Sequence, residues 1–251
     1  GHPGERVSLD VVGPIEKTEA GNQYLLCMTD HFSKFARAIP LPRHTAKAVA
    51  EVFTKKWCEE NGEPMQFHTD QGSEFESNLM KELLKLLGIE TCRTVAFKPS
   101  SDGQVERYNK TIVDCVAMLA KETSQWDLVV GKCVSAYHST IHAVTGFTPN
   151  KLWFGREVYH SSDLMMPTKP AEDPISQGEY VKRWEEDMRL AYKVARERIG
   201  RNVKIQKKYY DRTSHLIAYA EGDMVMLKDY TPKIRGEKKL ADKWEGPYYV
   251  L

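Results

Sequence analysis

RVSLDVVGP, residues 6–14, alternates apolar and polar side chains as far as Val12 and then stops at Gly13-Pro14, which reads as a β-strand with Asp10 near its end. Two further acidic residues belong with it. Asp70 closes a second short apolar run in FHTDQGSEF, residues 67–75, and Glu106 falls in SDGQVERYNK, residues 101–110, on the first turn of an amphipathic helix. Between Asp70 and Glu106 lie 35 residues, 71–105. Two strands and a helix, each with one carboxylate near its end, predict an α/β protein with a shared acidic site.

Outward from Asp10, residues 23–29 and 35–39 read as two more strands, joined by a tight turn around residues 31–34, so the chain opens as a three-stranded meander. Thr45 caps a helix running to about Asn61; Val49, Val52, Phe53 and Trp57 recur at helical spacing and Gly62 stops it. Residues 65–68 form the short strand that delivers Asp70, Gly72 lets the chain turn, and residues 75–87 carry the period of a helix ended by Gly88. Residues 89–95 are the fifth strand, and residues 97–103 have loop chemistry. From Gln104 a helix resumes. Val105, Tyr108, Ile112, Cys115, Val116 and Leu119 share one side of it, whereas Glu106, Lys110 and Val113 lie on a stripe away from that side. Another helix, residues 126–141, follows. Pro167, Pro170 and Pro174 mark a boundary; residues 175–210 read as a long helix or helix pair, and residues 223–228 and 248–251 as strands of a small barrel with a basic turn, 233–239, between them.

Of the 251 residues 41% are hydrophobic and 28% charged, enough for one sizeable core and a smaller module. No apolar run is long enough for a transmembrane helix, and GHPGERVSLD has no signal-peptide pattern, so the expectation is an intracellular segment cut from a longer polypeptide. Five scattered cysteines without a C-x-x-C pair predict neither a disulfide framework nor a zinc knuckle. The net charge of +1 conceals a basic arm: residues 189–212 hold nine Lys/Arg against Glu197 and Asp211, suited to DNA phosphates or to a solvated helix face.

Phosphodiester chemistry needs positive charge on the attacking and the departing oxygen. Two divalent ions about 3.5–4 Å apart supply it. Hard Mg²⁺ or Mn²⁺ prefers oxygen ligands, which suits Asp10, Asp70 and Glu106, with Asp10 bridging both ions and the other two holding one each. Asp30, Glu74, Asp102 and Asp114 are assigned to turns and exposed faces. His138 and His142, at i and i+4, lack the Glu after His138 that a metalloprotease needs and are assigned to structure, as are Trp126, Trp153 and Trp184.

VSLDVVGPI, FHTDQGSEF, PSSDGQVERYNKTI, TGFTPNKLWFGRE and KWEGPYYVL occur here in that order, and with them nearly the whole chain resembles the integrase of a gypsy-type long-terminal-repeat retroelement, related to retroviral integrases. The resemblance implies a ribonuclease H-like catalytic core, with a five-stranded mixed sheet flanked by helices, over residues 1–165. It implies a linker and basic helical region over 166–215, then a truncated Src-homology-3-like β-barrel over 216–251 carrying Gly246-Pro247-Tyr248. It makes Asp10, Asp70 and Glu106 the catalytic metal ligands, and it faces Asn109 and Lys110 toward DNA. Lys110, at i+4 from Glu106, is placed to hold a terminal phosphate or else to make a helix-surface ion pair. Gln71, Ser73 and Gln104 are further candidates for the nucleic-acid backbone.

The family's His-His-Cys-Cys zinc domain has no counterpart in these residues, so no zinc is expected. The implied reaction is metal-dependent processing of the element's cDNA 3′ ends and their joining to target DNA, by a dimer or tetramer in the nucleus or a retroelement particle. Its rivals are a domesticated relative that binds DNA or a partner without catalysis, and a transposase or nuclease with the same core.

Overall fold

β1 (Arg6–Val12) is the centre of a five-stranded sheet, and its alternation decides what each face does. Val7 and Leu9 point into one layer at 0% and 2% exposure, while Ser8 and Asp10 point to the other. β2 (Tyr24–Asp30) runs antiparallel to β1, and the edge strand β3 (Ala36–Leu41) antiparallel to β2. On the other side β4 (Gln66–Thr69) lies parallel to β1 and β5 (Glu90–Arg93) parallel to β4, giving the order β3-β2-β1-β4-β5. The computed structural model describes residues 1–69, 72, 75–93, 103–120, 125–165, 176–213, 220–228 and 244–250; at 93, 103–106, 162, 164, 210–213, 228 and 245 it describes the backbone alone. Of the expected loop 97–103, Gly103 instead opens a helix; its other residues, the prolines 167, 170 and 174, the basic turn 233–239 and Leu251 lie outside the described residues.

One face of the sheet is covered by α1 (Ala46–Phe53) and α3 (Asn78–Leu86), which bury Val49, Phe53, Met80 and Leu84 against Val7, Leu9, Leu26 and Phe67. Each such fully buried side chain contributes about 1.5–3 kcal/mol. The helix expected to continue to Asn61 changes pitch after Phe53: a π-helical turn, Thr54–Cys58, precedes α2 (Glu59–Asn61). The wider turn lets two successive residues, Trp57 and Cys58, both enter the core. α3 begins three residues later than its apolar period suggested, because Ser77 accepts the Met80 amide as N-cap at 3.2 Å and Phe75 packs into the core from a turn.

α4 (Gly103–Leu119) and α5 (Trp126–His138) cover the other face. Tyr108, Ile112 and Val116 stack on Leu25, Cys27, Ala36 and Ala38, together with Trp126, Val130 and Cys133 from α5. Then come α6 (Pro149–Phe154), capped by Thr148 and ended by Gly155 in the left-handed region, and the short α7 (Ser161–Met165).

The chain divides into two compact units, Gly1–Asn202 and Val203–Leu251. α8 (Gln177–Thr213) is one continuous helix rather than a pair. Its first part packs as core: Ala191 and Ala195 are buried beside Phe32 and Leu152, Tyr192 donates its hydroxyl to the Leu152 carbonyl at 3.2 Å, and Trp184 donates to that of Gly155. The second unit contains β6 (Met224–Lys228) paired antiparallel with β7 (Trp244–Tyr249), with a register irregularity between Val225 and Leu227.

Candidate active site

Asp10 lies opposite Cys27 on β2, on the sheet face that α4 covers, and it is half-buried. Its carboxylate is fixed from two directions. The Val11 amide donates to Oδ1 at 2.8 Å, and the Asn109 carboxamide donates to Oδ2 at 2.5 Å. Asn109 reaches it because the buried Tyr108 and Ile112 hold α4 against β2, leaving Asn109 only 7% exposed. The other amide atom, Asn109 Oδ1, is buried with no hydrogen-bond donor among the described residues.

Glu106 occupies the first turn of the same helix, three residues before Asn109; its side chain and that of Gln104 lie outside the described residues. So do Asp70, Gln71 and Ser73, although β4 is described to Thr69. Lys110 is exposed on α4 and has no carboxylate partner among the described residues.

The donors that are described suit a hard cation. Asp10 offers a carboxylate and Asn109 a buried carbonyl oxygen. Cys27, the nearest soft donor, is driven upward in pKa first by burial and then by the Asp10 charge, so its sulfur stays a neutral thiol. Among the described residues no three His, Cys, Asp or Glu side chains converge as a metal site.

Beneath Asp10 lies a polar layer that sequence reasoning missed. Ser8 and His68 are register partners on β1 and β4, and each stands two residues before a candidate metal ligand. The His31 ring hydrogen-bonds Ser8 through Nε2 and meets the His68 ring edge-on at 5.5 Å. Burial, then the charge of Lys34, lowers the His31 pKa to about 3, so the ring is neutral.

Asp30, expected on an exposed turn, is instead fully buried, because it organises the β2–β3 connection: it accepts from the Gly4 and Ser33 amides and the Ser33 hydroxyl. Desolvation raises its pKa. Lys34, at φ 67°, is buried beside it and donates to the His31 carbonyl at 2.5 Å. An Asp-x-x-Ser-Lys turn gives no sign of burial on its own, since each residue type is ordinary on a surface.

The two histidines set aside as structural pack as such. His138 stacks on Phe35 at 4.4 Å and bonds the Ala36 backbone, and His142 accepts from the Val144 amide at 3.2 Å. The basic arm is partly used inside the first unit: Arg196 donates to the Gly1 carbonyl and sits over the Phe32 ring.

Residues 1–99, which include β1 through β5, match the integrase core domain family. Over 99% of its length the chain is 27% identical to the retrovirus-related Pol polyprotein from transposon 412 of Drosophila melanogaster. The likeness to an integrase core covers the first 99 residues.

The chain is also 26% identical, again over 99% of its length, to the transposon Tf2-3 polyprotein of Schizosaccharomyces pombe; it spans about a fifth of these polyproteins, 20% and 18% respectively. Among solved structures it matches the HTLV-2 integrase catalytic core domain in complex with magnesium, with a TM-score of 0.51 and 19% identity over 61% of this chain and 97% of that one. The simian T-cell lymphotropic virus intasome in complex with PP2A regulatory subunit B56 gamma matches over all of this chain and 69% of the other, at a TM-score of 0.55 and 15% identity. Both likenesses are of fold: a ribonuclease H-like sheet flanked by helices. No helix among the described residues is long and apolar enough to cross a membrane.

Proposed function

We propose that this chain is a retroelement integrase, a metal-dependent polynucleotidyl transferase that trims the 3′ ends of an element's cDNA and joins them to target DNA. The observation that carries the reading is the Asn109–Asp10 hydrogen bond. It ties the first turns of α4, where Glu106 lies, to the strand bearing Asp10, on the face that also receives His68 just before Asp70. In trimming, a water oxygen attacks the phosphorus, the P–O3′ bond breaks, and the departing 3′-oxygen takes a proton. In joining, the recessed 3′-hydroxyl attacks a target phosphorus, one ester replaces another, and the proton moves from attacking to departing oxygen.

Asp10, Asp70 and Glu106 would hold Mg²⁺ or Mn²⁺, which when bound supplies positive charge at both oxygens. The protein's own part is positional. Val11 and Asn109 fix the Asp10 carboxylate before substrate arrives, so its orientation costs nothing during reaction. Lys110, exposed one turn beyond Glu106, meets a phosphate, with Gln71, Ser73 and Gln104 as further backbone contacts. Two DNA ends joined together call for a dimer or tetramer, acting in the nucleus or a retroelement particle; β6 and β7 are two strands of the Src-homology-3-like module. Asp70→Asn and Glu106→Gln should each abolish processing and joining of an oligonucleotide end while leaving the circular dichroism spectrum and Tm near those of the parent. A metal-dependent, active double variant would overturn the reading.

A further inference from the structure

At the end of the sheet toward which β1 runs lies an open cleft of about 790 Å³, lined by Lys17, Gln23, Tyr24, Arg43, His44 and Thr45 among others, with no carboxylate among the described residues of its wall. This one-signed lining stands out in a chain with 36 basic and 35 acidic residues. Lys17 and Arg43 are exposed, and neither has a carboxylate partner among the described residues. Most surface cations are also solvated, so exposure alone says little. The decisive feature is that both walls are rigidly held.

Lys17 enters the turn of residues 18–21, where the Gly21 amide donates to the Thr18 carbonyl at 2.9 Å. Thr18 and Asn22 both donate to the Asp127 carboxylate at 2.8 Å, fastening this turn to α5. Gly21, at φ 86°, has no side chain there, and the Lys17 stem passes over it: a Cβ would stand 3.8 Å from Lys17 Cε. On the opposite wall the His44 ring packs on Tyr24 with centroids 4.4 Å apart, and Thr45 caps α1 by accepting the Ala48 amide. The backbones bearing the cations are thus ordered before any ligand arrives, which lowers the entropy cost of binding.

The cleft is also placed by the strands. Asp10 pairs with Cys27, and Tyr24 is three residues further along β2. At the rise of a strand this is about 10 Å, with the Tyr24 ring on the side of the sheet that packs with Leu26, opposite to that of Cys27.

We infer that this cleft is a DNA-phosphate groove, in which Lys17, Arg43 and His44 grip the duplex backbone at the end of the sheet toward which β1 runs. The inference rests on the proposed transferase reading but adds a surface outside the acidic site. Contacts of this kind fix register without reading bases.

The test is fluorescence anisotropy of a labelled duplex oligonucleotide with a recessed 3′ end, in metal-free buffer from 50 to 200 mM salt. Parent chain, Lys17→Ala/Arg43→Ala and the exposed control pair Lys55→Ala/Lys85→Ala are compared, each with its Tm. Losing two phosphate contacts should flatten the slope of log K against log salt by about 1.8 and weaken binding at 100 mM roughly tenfold or more, while the control stays at the parent value. A slope unchanged in the cleft variant, or flattened equally in the control, overturns the groove and leaves the transferase reading standing. Absence of salt-dependent binding by the folded parent removes both.

Discussion

Asn109 is the residue on which the proposed acidic site turns, since it alone among the described side chains joins the helix of Glu106 to the carboxylate of Asp10. Asn109→Ala should cut kcat for joining by about 10–100-fold, the range for partners that orient a metal ligand, and weaken Mn²⁺ binding measured by electron paramagnetic resonance; parent-like values for both would remove its positioning role. Asn109→Asp should be worse than Ala, because a second carboxylate would face Asp10 where an amide now donates. Of Asp10, Asp70 and Glu106, only the Asp10 side chain lies among the described residues; the sequence offered all three as a proposed metal site because carboxylates at strand and helix ends form a pattern. It placed Asn109 toward DNA, and the inward turn of its amide depends on how α4 rests on Leu25 and Cys27, a tertiary fact without a local signature. Ser8, His31 and His68 escaped notice for the same reason: three ordinary polar residues become a buried layer only when β1 and β4 pair in register.

The elements themselves were legible wherever periodicity was strong, and β1, β2, β4 and α4 fall close to where alternation and helical spacing put them. Periodicity failed where side chains in three dimensions override it, as at the π-helical turn that buries both Trp57 and Cys58, and at Ser77, whose cap delays α3. Residues 175–210, read as a long helix or helix pair, do form one long helix; what periodicity did not show is that small residues at Ala191 and Ala195 let α8 lie close on Phe32 and Leu152. That docking yields a prediction. Gly155 ends α6 at φ 73°, and a Cβ there would come within 2.5 Å of the Trp184 indole. Gly155→Ala should therefore destabilise the first unit by about 1–3 kcal/mol and shift Trp184 fluorescence; a urea midpoint equal to the parent's would show that α8 does not depend on this contact.

At the scale of the molecule, burial has an acid-side consequence. Desolvation lowers His31 to about 3 and His138 and His142 to about 4, so as pH falls through the ordinary histidine value the unfolded chain takes up protons first. Their stabilisation is full above about pH 6.5 and is lost progressively down to the folded values; Asp30, raised by burial, acts in the opposite sense. The urea midpoint should fall between pH 7 and pH 5, by an amount equivalent to about 1–3 kcal/mol, and a constant or rising midpoint would show that these rings are accessible to protons in the fold. The central claim, a competent transferase core within these residues, is tested most directly by resolution of a branched DNA that mimics the joined product, in Mg²⁺ and in Mn²⁺, beside Glu106→Gln. Metal-dependent rejoining by the parent and none by the variant is the predicted result; a folded, Mn²⁺-binding parent that leaves the branched DNA untouched would contradict it.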